Sequence, residues 1–251
     1  MRFGINVDVD ENLDGFIKIC EDSVPHINTF IDINTSQAKM GRVAKSLKNV
    51  GSYITFLDAN GGEDVFTDWD EKLEKISKLL AKIPKKQVLG IGLVRNVHAV
   101  MRRGSSRRGI PKANIVSSLN QLSEVIRAAG MKVALHQRLD DVEGGLWNDV
   151  DYDIHDLDMF ISKKSVHVLE RLKTDRAIWF GRAGRFGGNI MPSVHKNVVR
   201  RLAETASGSG RCDLIFLWSD KNNKRFHWSH EQAFSLTANE IRLLTAGVSG
   251  V

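Results

Sequence analysis

The sequence predicts a single-domain α/β protein, a (β/α)8 TIM barrel that covers residues 1–251. Eight short apolar runs alternate along the chain with stretches in which apolar residues recur at helical spacing. The length of 251 residues is close to the roughly 250 that are typical of this fold, and no Pro- or Gly-rich linker divides the chain. The predicted strands are residues 3–9, 26–33, 53–58, 87–94, 132–136, 157–162, 176–181 and 212–218.

Helical stretches follow the strands and form the predicted outer layer. The clearest is 69–83, whose apolar residues form one stripe. Thr67 and Asp70 stand at the spacing of a capping box at its start. Gly130 predicts the end of a second helix, 114–129. The other predicted helices are residues 13–23, 39–49, 166–173, 194–206 and 229–244.

The composition indicates an ordinary water-soluble protein and argues against a membrane-spanning one. No apolar stretch approaches the roughly 20 residues that cross a bilayer. The first residues lead directly into a strand pattern without the basic leader of a secretory signal. Cys20 and Cys212 lack metal-type or redox-type spacing, so we expect buried thiols and a cytoplasmic protein.

The chain is mildly basic, with a formal net charge of +6 and a pI near 9.3. Part of the positive charge is concentrated in a Gly/Ser-rich segment, which contains Arg102, Arg103, Arg107 and Arg108. Two interpretations are open: a solvated loop, or a loop that contacts an anionic partner such as nucleic acid.

The predicted carboxyl ends of the strands divide into an acidic and a basic half. Barrel enzymes place their active sites at this end, and the long connections 95–112, 139–156 and 181–193 all follow a strand. The acidic half consists of Asn6, Asp8, Asp10, Asp32, Asn34, Asp58, Asn60 and Asp220. The basic half consists of Arg95, Asn96, His136, Arg138, Lys163, Lys164, Arg182 and Arg185. This division suits a substrate with an anionic group at one end and hydroxyls or a carbonyl at the other.

A glycine-rich turn at residues 180–189 follows the seventh predicted strand. Glycine lets backbone N–H groups approach a phosphate closely, and barrel enzymes frequently bind phosphate after strands seven and eight. We therefore expect an anionic group to bind here, with charge-assisted hydrogen bonds from arginine. The residues of this predicted site are Arg182, Gly184, Arg185, Gly187 and Gly188, with Arg95 and Arg138 as further substrate contacts.

Three aspartates and one histidine are the candidates for acid–base chemistry. Asp8, Asp32 and Asp58 could share a site in which like charges raise one pKa, or could together hold Mg²⁺ or Mn²⁺. His136 could be their acid–base partner or a metal ligand, although a histidine at a strand end is often only a hydrogen-bonded structural residue. The aspartates of residues 149–158 are interpreted as a solvated acidic loop.

Two stretches resemble the xylose-isomerase-like family of sugar isomerases and epimerases. They are residues 1–6 (MRFGIN) and 122–136, in which a helix, a glycine and a strand that ends in His136 follow one another. The resemblance covers under a tenth of the chain. It implies a divalent metal held by Glu, Asp, His and Glu from four strands, with Asp32 in place of the first. The sequence departs from that pattern at the eighth strand, which ends in Asp220.

The leading hypothesis is a barrel enzyme that isomerises or epimerises a phosphorylated or acidic sugar-like small molecule. A first alternative is a glycoside hydrolase that uses Asp32 and Asp58 as its carboxylate pair. A second is a protein that acts on nucleic acids or phosphodiesters through the arginine-rich segment. A third is a barrel that binds a ligand without catalysis.

Overall fold

In the computed structural model, eight parallel strands are hydrogen-bonded in sequence order and close into a barrel, which confirms the predicted fold. The structure describes residues 2–8, 26–47, 50–59, 64–103, 110–160, 172, 174–184, 200–201, 204 and 212–217. The strands are β1 (Arg2–Asp8), β2 (His26–Phe30), β3 (Gly51–Thr55), β4 (Val88–Gly92), β5 (Val133–Gln137), β6 (Ile154–Phe160), β7 (Ala177–Gly184) and β8 (Cys212–Leu217).

Alternate residues of each strand point into the barrel or outward against the helices, as the pleat of a strand requires. The interior holds one apolar cluster, which contains Tyr53, Ala134, Ile154, Trp179, Leu214 and Phe216. The residues next to them in sequence, such as Ile54, Leu135 and Ile178, belong to a larger cluster shared with the helices. The barrel is therefore packed with side chains below its carboxyl end.

Five α-helices lie in the described ranges. They are α1 (Gln37–Ser46), α2 (Trp69–Leu80), α3 (His98–Arg103), α4 (Lys112–Ala128) and α5 (Leu139–Glu143). Helix α2 buries Ile76, Leu79 and Leu80, as its apolar stripe predicts. Gly130 follows α4 with a φ of 74°, the left-handed conformation expected of a glycine just beyond a helix. None of the helices in the described ranges has the length and apolar content required to cross a membrane.

The predicted capping box of α2 is wrong. The N-cap residue is Asp68, which has a left-handed φ of 49° and makes no side-chain cap hydrogen bond. Because the chain turns one residue later than the sequence spacing suggests, Thr67 does not occupy the position from which its hydroxyl could accept from the helix. Asp70 and Glu71 still lie in the first turn, where negative charge is favoured by the helix dipole.

Several element boundaries differ from the prediction. Strands β2 and β3 end earlier than predicted. The prediction ran too far because Ile31, Ile33 and Phe56 are apolar and buried although they lie beyond the strand ends. Strand β6 begins at Ile154 rather than at 157, and β7 extends to Gly184. The connection predicted for 95–112 contains α3, and that predicted for 139–156 contains α5.

Some predicted helices lie outside the described residues. This applies to 13–23 and 229–244, and to 166–173 apart from Leu172, which is not helical. In 194–206, the described residues Arg200, Arg201 and Glu204 are helical. Cys20 is also outside, whereas Cys212 is a buried free thiol whose pKa is raised by burial to about 12.

Candidate active site

Charged side chains enter the barrel at the carboxyl ends of β5 and β6, next to the apolar interior cluster. His136 and Asp156 follow Ala134 and Ile154 at the next inward position of their strands. The parallel register pairs His136 with Asp156, so the two side chains lie side by side. This is the end of the barrel at which barrel enzymes build their active sites.

Four side chains form a hydrogen-bonded arrangement that crosses the barrel, and we call it the His136 network. The hydroxyl of Tyr53 on β3 donates to Oδ2 of Asp156 on β6 at 2.6 Å. Nδ1 of His136 lies 3.1 Å from the same oxygen, and Nε2 lies 3.3 Å from Oδ1 of Asp158. The side chains of His136 and Asp156 are each 4% exposed and that of Asp158 is 10% exposed.

The two carboxylates keep His136 protonated. Burial by itself lowers the pKa of a histidine, but the negative charges of Asp158 and Asp156 outweigh it and raise the pKa of His136 to about 9. Burial, followed by the charge of Asp156, raises the pKa of Tyr53 well above its usual value. At neutral pH the network therefore holds an imidazolium between two carboxylates, with a neutral Tyr53 as a hydrogen-bond donor.

An arrangement of this kind is poor evidence for stability. Burying charged groups costs desolvation free energy. Branched apolar residues, which usually fill the interior of a barrel, carry no such cost. Perturbed ionisable groups in a barrel mouth are more typical of functional sites. The His136 network is therefore the candidate active site.

A second polar group lies where β3 and β4 end. Asn96 donates through Nδ2 to Oδ1 of Asp58 at 3.1 Å, and Nε of Arg95 lies 3.9 Å from Oδ2 of Asp58. Asp58 and Arg95 are also joined by a backbone bridge. Asn96 is buried with a φ of 57°, a left-handed conformation that non-glycine residues rarely adopt and that is concentrated at functional sites.

The structure places the four predicted catalytic residues in different settings. His136 lies in the network, and Asp58 lies with Arg95 and Asn96. Asp8 is the last residue of β1 and pairs with Phe30, but its side chain is not described.

Asp32 does not join a buried site. It is exposed, and its Oδ1 accepts a hydrogen bond at 2.7 Å from the backbone N–H of Asn34, which closes the turn after β2. The expected meeting of Asp8, Asp32 and Asp58 is thus not seen among the described side chains. The sequence spacing could not show that Asp32 lies beyond the end of its strand.

The predicted substrate-binding residues are only partly described. Arg95 is partly buried at the mouth, with 24% of its side chain exposed. The backbone N–H of Arg138 donates to Oδ2 of Asp141 at 3.2 Å, where α5 begins. Gly184 pairs with Phe160 as the last residue of β7, so the first part of the predicted phosphate-binding turn is strand. The described part of the structure does not include the side chain of Arg182. It also does not include the residues Arg185, Gly187, Gly188, Lys163, Lys164 and Asp220.

Two charged segments also differ from their predictions. Arg102 and Arg103 belong to α3 rather than to a loop, while Arg107 and Arg108 lie outside the described residues. The interpretation of residues 149–158 as one solvated acidic loop is wrong at its far end. Asp151 and Asp153 are near the surface, each 2.9 Å from Arg127 of α4, but Asp156 and Asp158 lie on β6 within the barrel.

The described residues do not fit the divalent metal that the family resemblance implies. No three or more His, Cys, Asp or Glu side chains among them form a group that could hold an ion. Each ring nitrogen of His136 already faces a carboxylate oxygen, that of Asp156 at Nδ1 and that of Asp158 at Nε2. We therefore derive no step through a metal.

Asp156, Asp158 and Tyr53 were not among the predicted site residues. Ile154, Asp156 and Asp158 alternate with other residues, and this spacing is the one expected of residues on the inward face of a strand. It was hidden because the polar residues His155 and Asp156 left no continuous apolar run before Leu157. Tyr53 carried no signal, since nothing in the order of residues relates it to a carboxylate on β6.

Comparison with known proteins identifies the fold and no family. No protein-family profile matches the sequence, and no curated protein matches it. Among solved structures, the chain is similar to a GH113 beta-1,4-mannanase, with 11% identity, a TM-score of 0.62, and 94% of this chain and 97% of that chain covered. It is similar to a GH5 subfamily 18 protein from Streptomyces cattleya in complex with Manb1-4GlcNAc, with 11% identity, a TM-score of 0.66, and 97% and 80% covered. It is also similar to a family 2 AP endonuclease from Brucella melitensis, with 9% identity, a TM-score of 0.61, and 95% and 98% covered. At such identities the likeness establishes a TIM-barrel fold.

Proposed function

We propose that this protein is a barrel enzyme that isomerises or epimerises a phosphorylated or otherwise acidic sugar-like molecule at the His136 network. The observation that carries the proposal is the contact of 3.3 Å between Nε2 of His136 and Oδ1 of Asp158. It supplies an acid and a base side by side at the carboxyl end of the barrel, where acid–base chemistry needs them.

Asp158 is the base in this proposal and His136 is the acid. The carboxylate of Asp158 removes the proton from the carbon next to a substrate carbonyl, and the N–H of His136 gives a proton to the carbonyl oxygen. The product of this step is an enediol. Transfer of that proton from Asp158 to the neighbouring carbon, with return of a hydroxyl proton from the enediol to His136, isomerises the substrate and restores both side chains. Epimerisation instead needs a proton from solvent on the opposite face of the original carbon; the hydroxyl proton again returns to His136, and Asp158 releases the abstracted proton to solvent. The positive charge of His136 also favours the negative charge that develops on oxygen.

The acidic part of the substrate is assigned to the arginines of the mouth. Arg95 is partly exposed on the β4 side, and its guanidinium offers a planar set of donors for a carboxylate or phosphate. Arg138, Arg182, Arg185 and the glycines Gly184, Gly187 and Gly188 remain predicted contacts of the same group.

The test is the exchange of carbon-bound hydrogen with solvent. Candidate aldose phosphates, ketose phosphates and uronic acids are incubated with the protein in D₂O, and loss of the proton signal next to the carbonyl is followed by NMR. We expect exchange with the wild type and a loss of about 100-fold or more in Asp158→Asn. Asp70→Asn, an exposed change on α2, should keep the wild-type rate. A wild type that exchanges no proton in any of these compounds contradicts the proposal.

Glycoside hydrolysis is the second candidate. It is favoured by two carboxylates at the barrel mouth, Asp58 after β3 and Asp158 on β6, and by similarity to a GH113 beta-1,4-mannanase and to a GH5 subfamily 18 protein in complex with Manb1-4GlcNAc. In the structure Asp58 lies beside Arg95, and Asp158 lies beside His136. Release of reducing ends from manno-oligosaccharides, without deuterium incorporation, would favour this candidate over the first.

A further inference from the structure

The barrel layer that contains the His136 network lacks the bulk usual for its position. Inward positions at this level include Gly92 on β4 and Gly181 on β7, where branched apolar residues usually fill a barrel. A methyl group at Gly92 would overlap Oγ1 of Thr55 and come within 2.9 Å of the Tyr53 hydroxyl. A methyl group at Gly181 would overlap Oδ1 of Asp156. The Tyr53–Asp156 hydrogen bond therefore lies between two glycines whose missing side chains make room for it.

Asp156 is held from several sides, although it is far from solvent. Tyr53 donates to Oδ2 at 2.6 Å, and Gly181 lies against Oδ1. The Gly181 backbone is itself fixed from across the barrel, because Asn28 on β2 donates to its carbonyl oxygen at 2.8 Å. Oδ1 of Asp156 is buried and accepts no hydrogen bond from the residues that the structure describes. Among the described residues, the cationic group that contacts the Asp156 carboxylate is the ring of His136, 3.1 Å from Oδ2.

We propose that Asp156 is a positioning residue that fixes and charges the His136 ring for Asp158, and that Tyr53 and the bare backbone of Gly181 hold Asp156 in place. This inference rests on the proposed function, in which Asp158 exchanges the proton with substrate. Asp156 lies one inward position deeper along β6 than Asp158 and contacts Nδ1 of His136, so it acts through His136 rather than on the substrate. Gly181 is specified by this role, since any side chain there would displace the carboxylate.

The groups that face His136 determine what a titration can report. Asp156 and Asp158 face it from β6, and the ring of His98 lies 6.5 Å away between centroids. Tyr53 faces it through Asp156 from β3, and the charge of Arg95 is close enough to oppose in part the rise in the pKa of Tyr53. Removing the charge of Asp156 takes away one of two carboxylates, so the ring should lose its proton at a lower pH.

The experiment is an NMR titration of the full chain with isotope-labelled histidine, which needs no substrate. The His136 signal is assigned by its loss in His136→Gln. In the wild type we expect it to titrate near pH 9. In Asp156→Asn, and in Gly181→Ala, the midpoint should fall by about one to three pH units.

Gly90→Ala is the matched control. Gly90 is also an inward glycine, but the atoms nearest to a methyl group there belong to Trp179 at 3.2 Å and Ile154 at 3.4 Å rather than to the network, so the His136 midpoint should not move. An unchanged midpoint in folded Asp156→Asn would overturn the inference. So would a wild-type His136 that titrates at or below 6.5, an outcome that requires no variant to fold. A shifted midpoint without any proton exchange on sugars would instead contradict only the proposed function.

Discussion

We expect the free energy of unfolding to fall when the pH is raised from 6.5 to 9.5, because His136 loses its proton. Its pKa is raised from 6.5 to about 9 in the folded state by the carboxylates of Asp158 and Asp156. Because the folded state binds this proton more tightly than the unfolded state, the stabilisation is fully present below pH 6.5. It is lost as the pH rises through 9. A difference of about 2.5 pH units corresponds to about 3 kcal/mol of unfolding free energy.

The assay is urea unfolding at half-unit steps between pH 6 and 9.5, with the wild type and His136→Gln in parallel. The variant leaves two buried carboxylates without their cationic partner and should lose about 3–5 kcal/mol at pH 6.5. Its deficit should shrink by about 3 kcal/mol at pH 9.5, where the wild type has also lost the charge.

His155→Gln is the control for a buried histidine outside the network. Burial lowers the pKa of His155, and that of His26, to about 4, so both affect stability between pH 4 and 6.5 and not above. The His155 variant should therefore follow the slope of the wild type from pH 6.5 to 9. Parallel curves for wild type and His136→Gln over that interval would refute the reasoning.

Three further predictions concern single sites. Gly41→Ala, in the exposed middle of α1 where nothing lies within 4 Å of an added methyl group, should raise the unfolding free energy by about 0.5–1 kcal/mol in urea. Ile76→Ala on α2, which is 0% exposed, should lower it by about 2–5 kcal/mol, whereas Lys78→Ala on the exposed face should change it by less than about 1 kcal/mol. Asp32→Asn should retain proton exchange, because an amide oxygen can still accept from the turn and the residue is exposed; a loss equal to that of Asp158→Asn would place Asp32 in the site.

Because its charges are buried, the His136 network makes the free energy of unfolding depend on whether one of its charged residues or all of them are replaced. Replacing a buried ion pair with apolar residues of similar volume is often neutral or stabilising, whereas removing one partner is strongly destabilising. Gly92 and Gly181 also reduce the apolar packing of the interior, since each leaves room for a polar atom where a side chain would otherwise lie. The mouth of this barrel is thus organised around charge at the expense of apolar packing.

The alternation of apolar runs and helical stretches was sufficient to predict the barrel. The inward-facing residues of the strands and the apolar stripe of α2 can be predicted from local sequence. Side chains alternate between two faces along a strand and return to the same face about every 3.6 residues along a helix. Element ends were less predictable. Ile31 and Phe56 are as apolar as the strands before them, and they stay buried in the larger apolar cluster although the strands have ended.

His136 could be selected from sequence because it ends a recognisable strand, but its partners could not. Asp156 looked like part of a surface loop until the β5–β6 register placed it beside the histidine. Tyr53 is 103 residues away from Asp156, and only closure of eight strands into a ring brings β3 and β6 face to face across the interior. Local sequence thus determined which segments are strands and which side chains point inward. The tertiary structure decided which inward side chains meet, because contacts across a barrel depend on register and closure rather than on the order of residues along the chain.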